Sequence, residues 1–92
     1  MTASAASPLT GRRLADDFDA RNAEAGDYWF ATWHKRDGGR ELWFRDPFGH
    51  PGRVSTHAVE EHDDGTVTVM PSIYDTDPGG FHGWLTKGVW TW

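Results

Sequence analysis

In residues 57–71, HAVEEHDDGTVTVMP, Val67 and Val69 alternate with Thr66 and Thr68 after an Asp-Asp-Gly turn and Val59 stands before it, a period of two that suits a strand and not a helix. A three-residue loop closed by Gly65 in the left-handed conformation sets His62 opposite Thr66, Glu61 opposite Val67, Val59 opposite Val69 and Ala58 opposite Met70. This register gathers Val59, Val67 and Val69 on one face and Glu60 and Thr68 on the other, so one face is core. Pro71 cannot donate to a ladder and is expected to end the strand.

Two further hairpins frame this one. In WLTKGVW the pair Lys87 and Gly88 suits a two-residue turn, with Leu85 opposite Trp90 and Trp84 opposite Thr91. Burying Trp90 there is worth roughly 2 to 3 kcal/mol, and Trp92 alternates onto the same face. Upstream, two aromatic runs, Tyr28–Arg36 and Arg40–Arg45, flank Asp37-Gly38-Gly39. A two-residue loop at Gly38 and Gly39 pairs Asp37 with Arg40, Arg36 with Glu41 and Trp33 with Phe44. A longer loop sets Arg36 against Arg40 and Trp33 against Trp43. The first register keeps two opposite-charge pairs and is favoured. The stretch YDTDPGGFHG, dense in Asp, Pro and Gly, reads as a loop.

A 92-residue chain is expected to form one domain spanning 1–92, with a small core. Six Trp, five Phe and two Tyr must supply much of its volume. Residues 1–9 read as a flexible lead. Thr10 is a candidate N-cap, Leu14, Phe18 and Ala25 form a helical stripe, and Gly26 suits a C-cap, which predicts a helix over 11–25. Asp16, Asp17, Asp19 and Glu24 then form its solvated face. The resulting fold class is α+β: an N-terminal helix packed on a small twisted antiparallel sheet or partly closed barrel, built from hairpins over 27–92 and about six short strands.

Nine basic against fourteen acidic residues give a formal charge of −5, which repels phosphate backbones and makes nucleic acid a poor partner. The absence of cysteine excludes disulfides, thiolate zinc sites and thiol nucleophiles. No stretch approaches 18 apolar residues and the N-terminus has no apolar signal region, so the expectation is a soluble, cytoplasmic chain that does not span a membrane.

Chemistry is sparsely signalled. His57 and His62, five apart, and His82 are the candidate zinc ligands, with Asp75 or Asp77 as companions, but no spacing forces them together and separate histidines are the simpler reading. A hydrolase would use His57 or His82 as base, Asp63 or Asp64 as orienter, and Ser72 or Ser55 as nucleophile, yet neither serine lies in a Gly-x-Ser-x-Gly elbow. Tyr28, Phe30, Trp43 and Phe44, flanked by Arg36, Arg40 and Arg45, offer a stacking platform for single-stranded nucleic acid, but strands in so small a protein more often bury such residues. What remains is a non-enzymatic module binding another protein, with no cofactor, whose anchors are Trp92, Trp84, Trp43 and Arg45, and which could also pair with its own copy as a homodimer through the strand ending in Trp92.

The run THAVEEHDDGTVTVMPSI followed by FHGWLTKGVW resembles a pattern in small uncharacterised proteins of actinobacterial phages and their hosts. In that pattern a His-x-Val strand enters an acidic Asp-Gly turn, followed by Val-x-Val-x-Pro-Ser-Ile, His-Gly-aromatic-Leu and Gly-Val-Trp. The likeness covers about residues 54–90 and implies a phage or prophage context with no known activity. A more distant likeness is to a domain-of-unknown-function family in which Ser-Pro-Ser-Ile precedes a His-containing hairpin and cysteines are frequent. Here there is no Cys, and Met70 precedes Pro71. On this resemblance the expected role is a phage-type accessory protein that binds and modulates an unidentified host protein.

Overall fold

A computed structural model describes residues 6–32, 39–54, 57–74 and 80–92. Nine strands account for 51% of the described residues: β1 (Leu9–Thr10), β2 (Arg12–Arg13), β3 (Asp27–Ala31), β4 (Glu41–Arg45), β5 (Pro51–Val54), β6 (Ala58–Glu61), β7 (Val67–Tyr74), β8 (His82–Thr86) and β9 (Val89–Thr91). They form a five-stranded sheet, order β1-β9-β8-β7-β6, and a four-stranded sheet, order β2-β3-β4-β5. The inner faces of both sheets supply one core of Tyr28, Phe30, Leu42, Phe44 and Val54 against Val67, Val69, Ile73, Leu85 and Trp90, with Phe81 at its end. A ring contact joins the two layers, Phe44 lying 5.3 Å from Trp90, and Phe81, just before β8, lies 5.5 Å from the same ring.

The α+β expectation is overturned, because no α-helix occurs among the described residues and the one helical element is a 3-10 turn at Ala20–Asn22. The 11–25 segment instead runs from strand β2 through a turn at Asp16 and Asp17 to the 3-10 turn. Leu14 N–H donates to Tyr28 O and Asp17 N–H to Phe30 O, so the chain continues alongside β3 the parallel pairing that begins at β2. The supposed helical stripe is a coincidence of spacing. Leu14 is buried, Phe18 meets the edge of Trp29 at 6.3 Å, and Ala25 is exposed. Aspartates decide the outcome, since short acidic side chains bond nearby backbone more readily than they sit in a helix. Asp17, at φ +59°, accepts from Thr32 N–H and Oγ; Asp19 caps the 3-10 turn; Asp27 accepts from Glu24 N–H. Gly26 does take a positive φ, but it serves the turn into β3, where its N–H donates to Arg45 O.

The expected lead over 1–9 also fails at its end. Leu9 pairs with Trp90 and Thr10 with Val89, so β1 borders β9, while β2 just beyond borders β3. Gly11 lies at this crossing between sheets, where a Cβ would stand 2.6 Å from Gly26 O and 3.0 Å from Trp90 Nε1. Residues 1–5 lie outside the described ones.

Two of the three hairpin registers agree with the sequence reading. Glu61 faces Val67, Val59 faces Val69 and Ala58 faces Met70, with His62 N–H donating to Thr66 O and Gly65 at φ +87°. Leu85 faces Trp90 and Trp84 faces Thr91 across Lys87 and Gly88, both at positive φ as a type I′ turn requires. The first hairpin differs. Phe44 pairs with Tyr28, Trp43 with Trp29, Leu42 with Phe30 and Glu41 with Ala31, so neither expected partnering of Trp33 holds; residues 33–38 lie outside the described ones. The observed register turns Tyr28, Phe30, Leu42 and Phe44 to one face, and burying four large apolar side chains together outweighs two exposed charge pairs.

Pro71 does not end its strand. β7 continues to Tyr74 across a register shift between Val69 and Ile73, and Pro71 lies in that irregularity, past the last β6–β7 pair at Met70, where its missing donor breaks no rung to β6.

Candidate functional site

Side chains on the outer face of the five-stranded sheet point away from the core. Alternation puts Ala58 and Glu60 of β6, Thr68, Met70, Ser72 and Tyr74 of β7, His82, Trp84 and Thr86 of β8, and Val89 and Thr91 of β9 there. Three of these residues form a contiguous aromatic run. Tyr74 and His82 are cross-strand partners with ring centroids 5.1 Å apart, and His82 lies 5.7 Å from Trp84 at an interplanar angle of 32°. Tyr74 is 65%, Met70 52% and Trp84 47% exposed, which leaves a broad apolar strip on a rigid sheet. Ser72 Oγ lies 3.2 Å from His82 Nε2 and fixes that ring.

The four binding residues read from the sequence are dispersed. Trp84 alone belongs to this strip. Trp92 is half-buried at one end of the core, 5.6 Å from Phe48 and 5.9 Å from Phe81, and its N–H donates to Ser7 Oγ. Trp43 is half-buried on the outer face of the other sheet, donating Nε1–H to Glu41 and lying under Arg53. Arg45 gives its guanidinium to the carbonyls of Gly49 and Ala20, bracing two loops. The strand end carrying Trp92 borders β1, so the free edge imagined for self-pairing is occupied at Trp90 and Val89.

The candidate metal ligands are likewise separate. His57 Nε2 lies 2.8 Å from Ser72 O, His62 Nε2 lies 2.7 Å from Thr68 Oγ, and His82 contacts Ser72 Oγ. Among the described residues no three His, Asp or Glu side chains gather as a metal ion requires; Asp75 and Asp77 fall outside them. The hydrolase reading fares unevenly. Ser72 and His82 do meet, but Asp64 is held in the β6–β7 turn by Thr66 N–H and Oγ, whose hydrogen bonds draw its pKa below the usual carboxylate range. Ser55 lies outside the described residues. The stacking platform for nucleic acid is not present, since Tyr28, Phe30 and Phe44 are buried in the core; Arg36 lies outside the described residues.

The buried carboxylates are structural. Asp27 receives two hydrogen bonds from Arg12, at 3.2 and 2.8 Å, Glu41 receives Trp43 Nε1–H, and Asp46 accepts from the N–H groups of Phe48 and His50. Asp46 borders a cavity of about 180 Å³ between Phe44, Ile73 and Phe81, smaller than the roughly 300 to 1,000 Å³ of ordinary ligand pockets. No helix among the described residues is long and apolar enough to cross a membrane.

Sequence reasoning missed His82 and Tyr74 as partners of Trp84, and the signal was available: Tyr74, His82 and Trp84 all alternate away from buried Ile73, Gly83 and Leu85. No family model matches the chain, and neither the curated proteins nor the solved structures yield a match.

Proposed function

We propose that this chain is a non-enzymatic binding module, a phage-type accessory protein that docks on a host protein in the host cytoplasm and modulates it through the outer face of the five-stranded sheet. The exposed run Tyr74–His82–Trp84 carries the reading: large rings on a rigid sheet cost little conformational entropy to desolvate and are preferred interface anchors. The likeness of residues 54–90 to phage proteins supports the context, and the net charge of −5 favours a protein over a nucleic-acid partner.

The test is affinity capture from host lysate with the intact chain and with Trp84→Ala and Trp92→Ala variants of unchanged melting temperature. A partner lost with Trp84→Ala and retained with Trp92→Ala supports the outer face. Equal capture by all three, or no specific partner, counts against it.

A second reading rests on the 3.2 Å approach of Ser72 Oγ to His82 Nε2, a nucleophile–base pair on the same face. Covalent labelling by a fluorophosphonate, abolished in Ser72→Ala, would select it over the binding module.

A further inference from the structure

The charge of this molecule is distributed unevenly between its halves. Residues 1–53 carry eight acidic and eight basic side chains, whereas residues 54–92 carry six acidic ones and Lys87 alone, so the whole net charge of −5 belongs to the segment that builds β6 to β9. The described arginines of the first half are also engaged. Arg12 binds Asp27, Arg13 and Arg40 bind Glu61, Arg21 binds Asp19, Arg53 faces Glu41, and Arg45 holds two carbonyls. The aromatic strip therefore belongs to the segment that carries the net negative charge; of its described carboxylates Glu61 is paired with Arg13 and Arg40, whereas Glu60, with its side chain 65% exposed, stands on the same outer face.

We infer that the outer face of the five-stranded sheet recognises an arginine-bearing segment of its partner, with Trp84 and Tyr74 as cation–π platforms and Glu60 as ion-pairing carboxylate. This inference rests on the proposed binding role and names the chemistry of the partner. Guanidinium planes stack on tryptophan and tyrosine while pairing with carboxylate, a combination that an uncharged or acidic partner surface does not reward. The net negative charge of residues 54–92 and the exposed Glu60 carboxylate favour a cationic over an anionic partner at the strip. Among the described residues Glu60 on β6 is the carboxylate on the strip's own face, with His82 on β8 and His62, whose Nδ1 lies 3.6 Å from Glu60 Oε1, beside it; Lys87 lies at the far turn with Asp63 and Asp64.

The experiment is calorimetric and NMR titration of the full chain with a capped nonapeptide of alternating arginine and glycine, against a glutamate–glycine counterpart. Expected are binding of the arginine peptide alone, shifts centred on the Trp84 indole N–H, a loss of about tenfold in affinity for Trp84→Ala with recovery in Trp84→Tyr, and weakening by Glu60→Gln and by added salt. Equal affinity for both peptides, no binding of either, or binding indifferent to both Trp84→Ala and Glu60→Gln overturns the inference. The two readings fail separately: a lysate partner lost with Trp84→Ala while the arginine peptide does not bind leaves the binding module standing and removes its cationic specificity. Glu60→Gln, a change at an exposed position, keeps the test decisive should Trp84→Ala unfold the sheet.

Discussion

Trp90 Nε1–H donates to the Gly26 carbonyl at 2.9 Å, tying the last strand to the turn that opens β3 across 64 residues of chain. The ring is fully buried and Gly11 passes directly over the bond, so three distant segments meet at one point. A buried carbonyl left without its donor costs about 1 to 3 kcal/mol. Trp90→Phe is expected to lower the melting temperature accordingly, by about 4 to 8 °C per kcal/mol for a chain of this size. Gly11→Ala is expected to do comparable damage by wedging a methyl between Gly26 O and Trp90 Nε1. Because both changes break the same contact, the double variant should lose less than the sum of the two, measured by urea unfolding.

Glu61 joins the two sheets by charge. Arg40 and Arg13 both bond its carboxylate, and both guanidinium groups lie over the Phe30 ring, at 3.9 and 4.9 Å. Those hydrogen bonds, Arg40's first, hold the Glu61 carboxyl below the usual carboxylate range. A group whose folded pKa is depressed adds stability that is present above its unfolded pKa, near 4.3 for Glu, and is lost as pH falls through the folded value. Asp19, beside Arg21, and Asp64, bonded by Thr66, shift in the same direction. Melting temperature is therefore expected to fall as pH drops from about 5 toward 3, and Glu61→Gln should start lower at pH 7 and decline less steeply. Parallel curves for the two proteins would deny Glu61 its part.

Lys87 and Gly88 tolerate change very differently. At φ +49° Lys87 occupies a conformation that glycine or asparagine adopts at less cost, so Lys87→Gly or Lys87→Asn is expected to be neutral or to stabilise by up to about 1 kcal/mol. A Cβ on Gly88 would meet Tyr28 Oη at 2.7 Å and Thr66 Cγ2 at 3.0 Å in addition to the strain of φ +77°. Gly88→Ala should cost more than about 1 kcal/mol. Chemical denaturation of the three variants orders them.

Local turn chemistry is what made half of this fold legible. Asp63-Asp64-Gly65 and Lys87-Gly88 each fix a short loop, and a short loop fixes register, so Val59, Val67, Leu85 and Trp90 could be paired from sequence alone. The β3–β4 connection is longer, so its register is set by tertiary burial of Tyr28 and Phe30 rather than by the Gly38-Gly39 pair. The 11–25 segment misled for a related reason. Its i, i+4 apolar pair is what a helix shows, but it competes with aspartates used as backbone acceptors: Asp19 and Asp27 bond N–H groups within three residues, while Asp17 depends on Thr32, a partner elsewhere in the chain. The candidate site was legible only through Trp84. The strip around it needs β7 beside β8, and the irregularity at Pro71 that brings Tyr74 onto His82 follows from a proline the sequence reading took as a stop.

The described tryptophans divide by environment in a way that fluorescence reads directly. Trp90 is sealed in the core and Trp29 lies under Phe18, whereas Trp84 is 47% exposed. Acrylamide should therefore quench the intact protein in part, and Trp84→Phe should remove a disproportionate share of the accessible emission. Stability should separate the same residues. Trp84→Ala removes an exposed ring and is expected to stay within about 1 kcal/mol of the parent, while Trp29→Ala opens a cavity beneath the 14–25 segment and should cost about 3 to 5 kcal/mol. A large loss for Trp84→Ala would mean that the ring supports the sheet; a small one leaves it free to serve as a contact.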